Sequence, residues 1–205
     1  MPDKYKTLMD FVEKLLKDTH TDEGRTQPFR SRSDHTRRVF CWAERLCGRT
    51  PGVDCDVLFT AAVFHDAGYS VPESDRHQTE SERIFREYAA DNGFDSDFTE
   101  KVALCVGTHS DKELLKTPEK LTIEQILLME ADLLDEEGAM LIARYALACG
   151  YKGNSSYEKV LSRIMEESAG KEENPMVTEY AKELWTAKQN YVREFIRLFR
   201  YDLEM

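Results

Sequence analysis

Apolar side chains recur every three or four residues along most of this chain, a spacing typical of amphipathic helices. Alternating apolar and polar runs, which would indicate strands, are almost absent. The pattern predicts helices over the following stretches: 8–15, 35–46, 57–66, 77–88, 98–109, 122–132, 135–149, a stretch opening at 155, and 174–198. We therefore expect an all-α protein, a multi-helix bundle in a single domain over residues 1–205.

Polar residues at three places predict where helices begin. Thr122 and Gln125 have the spacing of a capping box, and Ser155 opens a similar motif. Asn174-Pro175 places a capping residue before a proline, which is favoured at the first helical position.

Composition and charge narrow the range of functions. A formal net charge of -11 argues against binding of a nucleic acid polymer or an anionic membrane, but permits a small anionic substrate. No apolar run is long enough to span a bilayer, and the first eighteen residues lack the apolar core of a signal peptide. The cysteines are odd in number and form no CxxC pair, which predicts reduced thiols in a cytoplasmic protein: Cys41, Cys47, Cys55, Cys105 and Cys149.

The histidines are few and lie in unusual places. Of five, four fall on the apolar stripes of separate predicted helices, as does Asp132: His35, His65, His77 and His109. A polar group that points into a core is costly unless it finds a partner there. A divalent metal satisfies several such groups at once, so the pattern favours a buried metal site over an ordinary core with scattered polar residues.

The doublet His65-Asp66 is the centre of this hypothesis. Its side chains diverge by about 100° on a helix, yet before Gly68 they can straddle one ion. His35 and Asp132, from two other helices, would complete a four-residue shell whose open positions indicate catalysis. Nitrogen and oxygen ligands together suit Mn, Fe, Co, Ni or Zn, with Mg less favoured.

The remaining two stripe histidines leave the number of ions open. His77 and His109 each stand at one end of a predicted helix, where they can hold a second ion. Alternatively, they bond helix-end carbonyls or contact substrate. We expect at least one ion.

Arginines cluster around the first predicted ligand, in the segment 25–38. Guanidinium groups bind phosphate oxygens in a bidentate manner, which makes these residues candidates for substrate binding; surface ion pairing is the alternative. The candidates are Arg30, Arg32, Arg38 and, on a later helix, Arg144.

The ordered motifs SDHTRRV, AAVFHDAGY, THSD and MEADLLDEEGAMLIAR resemble those of the HD-domain superfamily of metal-dependent phosphohydrolases, and RHQTESERIF is similar to a His-Glu-x-x-Ser helix of its small bacterial members. The resemblance covers about residues 25–150, which would form the HD core, with C-terminal helices over 155–200 packing on it. It implies the six ligands named above and also places an arginine at position 38.

The resemblance implies hydrolysis of a small phosphorylated molecule, most simply a nucleotide, with Asp66 or Asp135 accepting the proton of the attacking water. Two alternatives remain. The same superfamily includes di-iron oxygenases with four histidines and two aspartates, and a regulatory module could bind a nucleotide without turnover.

Narrower activities do not follow from the resemblance. Members that hydrolyse guanosine alarmones carry an acidic pair soon after the doublet, where this chain offers Glu73 in another register. The Gly-Tyr-Pro motif of the cyclic-di-GMP branch is absent.

Overall fold

The computed structural model of the chain consists almost entirely of helices, which confirms the all-α prediction. It describes residues 2–17, 19, 21–22, 25–26, 29–71, 76–153, 156–168 and 173–204, with the backbone alone at 21, 22, 25 and 26. The α-helices are α1 (Asp3–Leu15), α2 (Arg32–Cys47), α3 (Cys55–Phe64), α4 (His77–Asp91), α5 (Ser96–Thr108), α6 (Ile123–Asp135), α7 (Ala139–Tyr151), α8 (Tyr157–Ser168) and α9 (Glu179–Leu203).

Shorter elements connect these helices. Two antiparallel strands of two residues each are β1 (Thr21–Asp22) and β2 (Arg25–Thr26). Short 3₁₀ helices cover Ala67–Ser70, Lys112–Lys116 and Pro118–Lys120. Within the ranges given above, no helix has both the length and the apolar character needed to cross a membrane.

The chain divides into two compact units, residues 1–132 and 133–205, with the boundary inside α6. The prediction that the chain forms one domain, with its C-terminal helices packed on the core, stays a prediction.

Helix α3 is the central helix of the first unit and packs against α1, α2, α4 and α5. From Val57 to Phe64 its side chains are apolar except for Thr60, and Leu58, Ala61 and Phe64 are completely buried. A helix that is apolar all round belongs in a core, because each of its faces needs cover from water. Since α3 ends at Phe64, the doublet that follows it emerges inside the core.

The second unit contains α7, α8 and α9, which pack against one another. Its core forms around Leu141, Ile164 and Val192. Before α7, the buried Glu137 accepts a hydrogen bond from Gln189 Nε2 at 3.0 Å, and its backbone carbonyl accepts one from Lys188 Nζ at 3.1 Å.

One predicted helix start is confirmed and another is wrong. The amide of Gln125 donates to Thr122 Oγ1 at 3.3 Å while the amide of Thr122 donates to Gln125 Oε1 at 3.0 Å, so the capping box forms. Asn174, in contrast, does not open α9, which begins at Glu179. Its side-chain oxygen instead accepts a bond from the amide of Met176 at 3.0 Å, a local turn that competes with helix formation.

The predicted start at Ser155 lies outside the described residues. The neighbouring hydroxyl of Ser156 accepts a hydrogen bond from the amide of Lys159 at 3.3 Å, immediately at the start of α8.

The prediction that all five cysteines are reduced is also wrong. Cys47 ends α2 and Cys55 begins α3, and the turn between these helices brings their Cα atoms to 6.3 Å, where they form a disulfide. A search for CxxC pairs misses this spacing of eight residues, because the pairing depends on the helix hairpin. Cys41, Cys105 and Cys149 are not part of this disulfide. The cysteines therefore no longer support a cytoplasmic location.

Candidate metal centre

The first group of candidate ligands comes from α2, from the end of α3 and from the part of α6 that belongs to the first unit. His35 lies in the first turn of α2, His65 caps the end of α3, and Asp132 lies in α6. The Nε2 atoms of His35 and His65 are 3.4 Å apart, and His35 Nε2 is 3.2 Å from Asp132 Oδ1. These three donor atoms therefore converge, as the sequence predicts for ligands of one ion.

A second group forms beside the first from Asp66, His77 and His109. His77 is the first residue of α4 and His109 caps the end of α5. The two Nε2 atoms lie 3.4 Å apart, and each is 3.6 Å from Asp66 Oδ1.

The carboxylate of Asp66 faces both groups. Oδ1 points toward His77 and His109, whereas Oδ2 lies 3.5 Å from His35 Nε2 and 3.6 Å from His65 Nε2. Donor atoms that share one ion at about 2.1 Å lie about 3.0–3.5 Å from each other. The observed separations run from 3.2 to 3.6 Å, at the upper end of this range and just above it, so the donor set would suit two ions, with Asp66 able to serve both groups.

Two imidazole rings are oriented by the backbone. His65 Nδ1 lies 2.8 Å from the carbonyl oxygen of Ala62, and His109 Nδ1 lies 2.7 Å from that of Val106. Because a carbonyl oxygen only accepts hydrogen bonds, each ring donates through Nδ1, and its Nε2 faces the carboxylate of Asp66. A bond from Nδ1 to a backbone carbonyl is the usual second shell of a metal-bound histidine.

The electrostatic environment keeps these groups in the protonation states that metals bind. Burial lowers the pKa of His65 and of His77 to about 4. Burial alone would raise the pKa of Asp66, but interactions with His65 and with the guanidinium group of Arg32 hold it well below its usual value. The pKa of Asp132 is likewise low, because Lys112 and His35 outweigh the effect of burial. At neutral pH, His65 and His77 are therefore neutral, and Asp66 and Asp132 are ionised.

Two cations contact the two carboxylates. Arg32 is buried, and its Nη1 donates to Asp66 Oδ2 at 2.9 Å. Lys112 Nζ donates to Asp132 Oδ2 at 2.7 Å and to the carbonyl oxygen of His109 at 2.5 Å. From the sequence, Arg32 is a candidate for substrate binding, whereas no pattern in the sequence singles out Lys112.

The backbone fixes the place of α4 beside the doublet. The amide of Gly68 donates to Ser81 Oγ at 2.8 Å, and a Cβ atom on Gly68 would lie 2.0 Å from the carbonyl oxygen of His77. Only a glycine permits this approach, which brings the first turn of α4 against the 3₁₀ helix Ala67–Ser70.

The other predicted site residues lie outside both groups. Arg30 precedes α2 and Arg38 lies on it, each partly exposed. Asp135 is buried at the end of α6. Arg144, in α7, donates to Glu136 Oε2 at 2.8 Å. The roles proposed for these four residues stay predictions.

Two further residues from the sequence predictions fall at the edges of the described structure. The side chain of Arg25, in the arginine-rich segment, and all of Glu73 lie outside the described residues. Arg37, in the same segment, pairs with Glu13 at the surface, as the ion-pair alternative predicts.

Comparison with known proteins places this geometry in a family. The model of the HD domain matches residues 32–137, which is more than half of the 205-residue chain, and the chain therefore belongs to the HD-domain family. A comparison with curated proteins finds no match.

Solved structures share the fold. An HD-superfamily hydrolase of Bacillus thuringiensis is 20% identical, with a TM-score of 0.71 over 98% of this chain and 97% of its own. A predicted HD-superfamily hydrolase of an uncultured Thermotogales bacterium is 21% identical, with a TM-score of 0.65 over 97% and 92%. YpgQ of Bacillus subtilis, solved in complex with ADP, is 21% identical, with a TM-score of 0.61 over 96% and 93%. The chain thus has the fold of HD-superfamily hydrolases.

Proposed function

We propose that this protein is a divalent-metal phosphohydrolase that acts on a small phosphorylated molecule, with nucleotides as the substrate class. The observation that carries the proposal is the carboxylate of Asp66, which directs one oxygen to each of two histidine pairs. A shared carboxylate between two ligand groups is suited to holding two ions a few ångströms apart, as two-metal hydrolases do.

When bound, divalent ions supply Lewis-acid activation of water and of phosphoryl oxygens. The protein's own residues prepare the site. Arg32 binds Asp66 Oδ2, the oxygen that also faces His35 and His65, and Lys112 binds the outer oxygen of Asp132. Each contact fixes the orientation of the carboxylate and offsets part of its negative charge. Both oxygens of Asp66 face histidine nitrogens, so we assign this residue to metal binding and leave Asp135 as the candidate proton acceptor.

Two features support a nucleotide as substrate. YpgQ, which shares the fold, has been solved with ADP. In this chain Arg30 and Arg38 flank His35 along the sequence, and partly exposed guanidinium groups are suited to phosphate oxygens. Arg144 remains a third candidate. Because nucleotides of this kind are abundant in the cytoplasm, we propose that location for the protein. The proposed ions are Mn, Fe, Co, Ni or Mg.

The test is hydrolysis by protein that has been stripped with a chelator and reloaded with Mn, Co, Ni or Mg. We expect phosphate release from at least one member of a panel of nucleotides and small phosphate esters. His35→Ala should lower that rate by at least about 100-fold, the upper end of the effect of losing a residue that merely supports a ligand. Arg37→Ala, on the same helix but paired with Glu13 at the surface, is the matched control.

Two outcomes would overturn the proposal. Substrate-dependent O₂ uptake with a mixed-valence electron-spin signal in iron-loaded protein would instead assign a di-iron oxygenase, since four histidines and two aspartates also suit that centre. Nucleotide binding without turnover, in protein that holds its full complement of metal, would assign a regulatory module.

A further inference from the structure

The four histidines of the centre are held in different ways. His65 and His109 are oriented by backbone carbonyls. His77 has no such bond from its Nδ1 to any residue that the structure describes. It is also the most exposed of the four, with 22% of its side chain accessible. Another group must orient this ring if it is to bind a metal.

Tyr69 occupies that position. Its ring lies parallel to the imidazole of His77, with 4.4 Å between the ring centres and 16° between the planes. The guanidinium carbon of Arg32 lies 3.7 Å from the centre of the same tyrosine ring. Because two flat groups so near one ring centre would overlap on a single face, Arg32 and His77 must take opposite faces of Tyr69.

Arg32, Tyr69, His77 and Asp66 contact one another in a ring, each touching the next. Arg32 binds Asp66 Oδ2, and Asp66 Oδ1 faces His77 Nε2 at 3.6 Å. Thus Arg32 and Tyr69 connect two ligands of the second group from outside. The contact of Gly68 with the first turn of α4 brings Tyr69, the next residue along, beside His77.

We propose that Tyr69 is a positioning residue for the second metal ion: clamped against Arg32, its ring fixes the imidazole of His77 in the orientation that binds this ion. The proposal rests on the assignment of a metal centre. It needs the flat ring of Tyr69 and not its hydroxyl group, since the contacts to Arg32 and His77 are made by ring faces.

Metal content tests the inference without any substrate. Wild-type protein titrated with Mn or Co should bind two equivalents per chain. Tyr69→Leu should keep the first equivalent and bind the second about 10- to 100-fold more weakly, the usual effect of losing a residue that supports a metal ligand. Tyr69→Phe, which keeps the ring, should bind both ions as wild type does.

A double-mutant comparison separates positioning from a general structural role. In a His77→Ala background, Tyr69→Leu should have no further effect on metal affinity, because its effect passes through the imidazole. Thermal unfolding of each variant checks that it folds. If Tyr69→Leu does not fold, Tyr69→His replaces it. Histidine keeps a smaller flat ring, so this variant should lower the affinity for the second ion by less than leucine would.

Several outcomes would overturn the inference. One is a wild-type protein that binds a single ion, and another is Tyr69→Leu with two ions of unchanged affinity. An equal weakening of both ions, or Tyr69→Phe behaving as Tyr69→Leu does, would also contradict it. A wild-type protein that binds no divalent ion at all would instead refute the metal-centre assignment and the proposed function with it.

Discussion

The two ligand groups share Asp66 but are built by different means. In the first group, His35 and His65 are deeply buried, and the ring of His65 is oriented by a carbonyl of its own helix. In the second, His109 has the same kind of carbonyl anchor, but His77 stands at the start of α4 and is held by stacking. A carbonyl anchor is local to one helix, whereas the stack depends on Arg32, Tyr69 and α4 together. The second group is therefore more sensitive to changes in packing.

Removing Asp66 should have the largest effect on metal binding. Because both ligand groups use this residue, both should fail together, whatever the difference in how their histidines are held. With Asp66→Ala, each histidine pair loses its shared carboxylate, and Arg32 loses its buried partner. We expect both metal equivalents to be lost under dialysis, and any phosphatase activity to fall at least about 100-fold. Elemental analysis measures the first effect and phosphate release the second.

The control for this change is Asp97→Ala, which removes an exposed carboxylate of α5 that pairs with Lys101. It should bind both ions as wild type does. An Asp66→Ala protein that retains one tightly bound equivalent would show that Asp66 serves a single group, and the model of a shared carboxylate would be wrong.

Gly68→Ala should separate the two ligand groups, because it displaces the start of α4, which carries a ligand of the second group only. A Cβ atom at this position would lie 2.0 Å from the carbonyl oxygen of His77 and 2.7 Å from the amide nitrogen of Ser81. Neither backbone atom can move without shifting the start of α4. We expect destabilisation by about 1–3 kcal/mol and loss of the second equivalent, with the first retained.

A matched glycine is available in α7, where a Cβ on Gly150 would meet nothing within 4 Å. Gly150→Ala should leave metal binding unchanged and stabilise the protein by up to about 1 kcal/mol, because alanine loses less backbone entropy than glycine when it becomes helical. Urea unfolding and elemental analysis compare the two variants. If Gly68→Ala binds two ions with unchanged affinity, the contact of Gly68 with α4 does not control the second group.

The same contrast shows what the sequence can predict. The all-α fold and the capping box at Thr122 follow from local patterns, which short segments determine by themselves. The six candidate ligands could be named because a polar residue on an apolar stripe stands out in sequence. The structure then brings them together in two groups.

The residues that hold the ligand aspartates in place could not be predicted in the same way. The contact of Lys112 with Asp132 crosses twenty residues, and that of Arg32 with Asp66 crosses thirty-four. Such contacts depend on how helices pack, which the period of a single helix does not specify. One signal was available for Arg32, which precedes His35 by three residues and so shares a helix face with it. The pairing of Cys47 with Cys55 was missed for the same reason as Lys112.

The last prediction concerns the pH dependence of stability in metal-free protein, where metal content no longer separates the two groups. Burial lowers the pKa of His65 to about 4, from its usual 6.5. Below pH 6.5 the unfolded chain takes up a proton on this residue while the folded protein does not, so the free energy of unfolding falls as the pH drops from 6.5 toward 4. For a group this deeply buried, the loss between pH 7.5 and pH 4.5 is on the order of 2–3 kcal/mol. The low pKa values of the two aspartates act in the same direction at still lower pH.

Two variants, His65→Gln and His77→Gln, show how much of this loss of stability comes from each ligand group. Urea unfolding in chelator at pH 7.5, 5.5 and 4.5 should show a clearly smaller loss of stability for His65→Gln than for wild type. His77→Gln should reduce the loss by less, although burial also lowers the pKa of His77 to about 4, because 22% of its side chain is exposed and water screens its charge. An equal reduction in both variants would mean that the two groups are equally shielded from water. The difference between them would then lie in ring orientation alone.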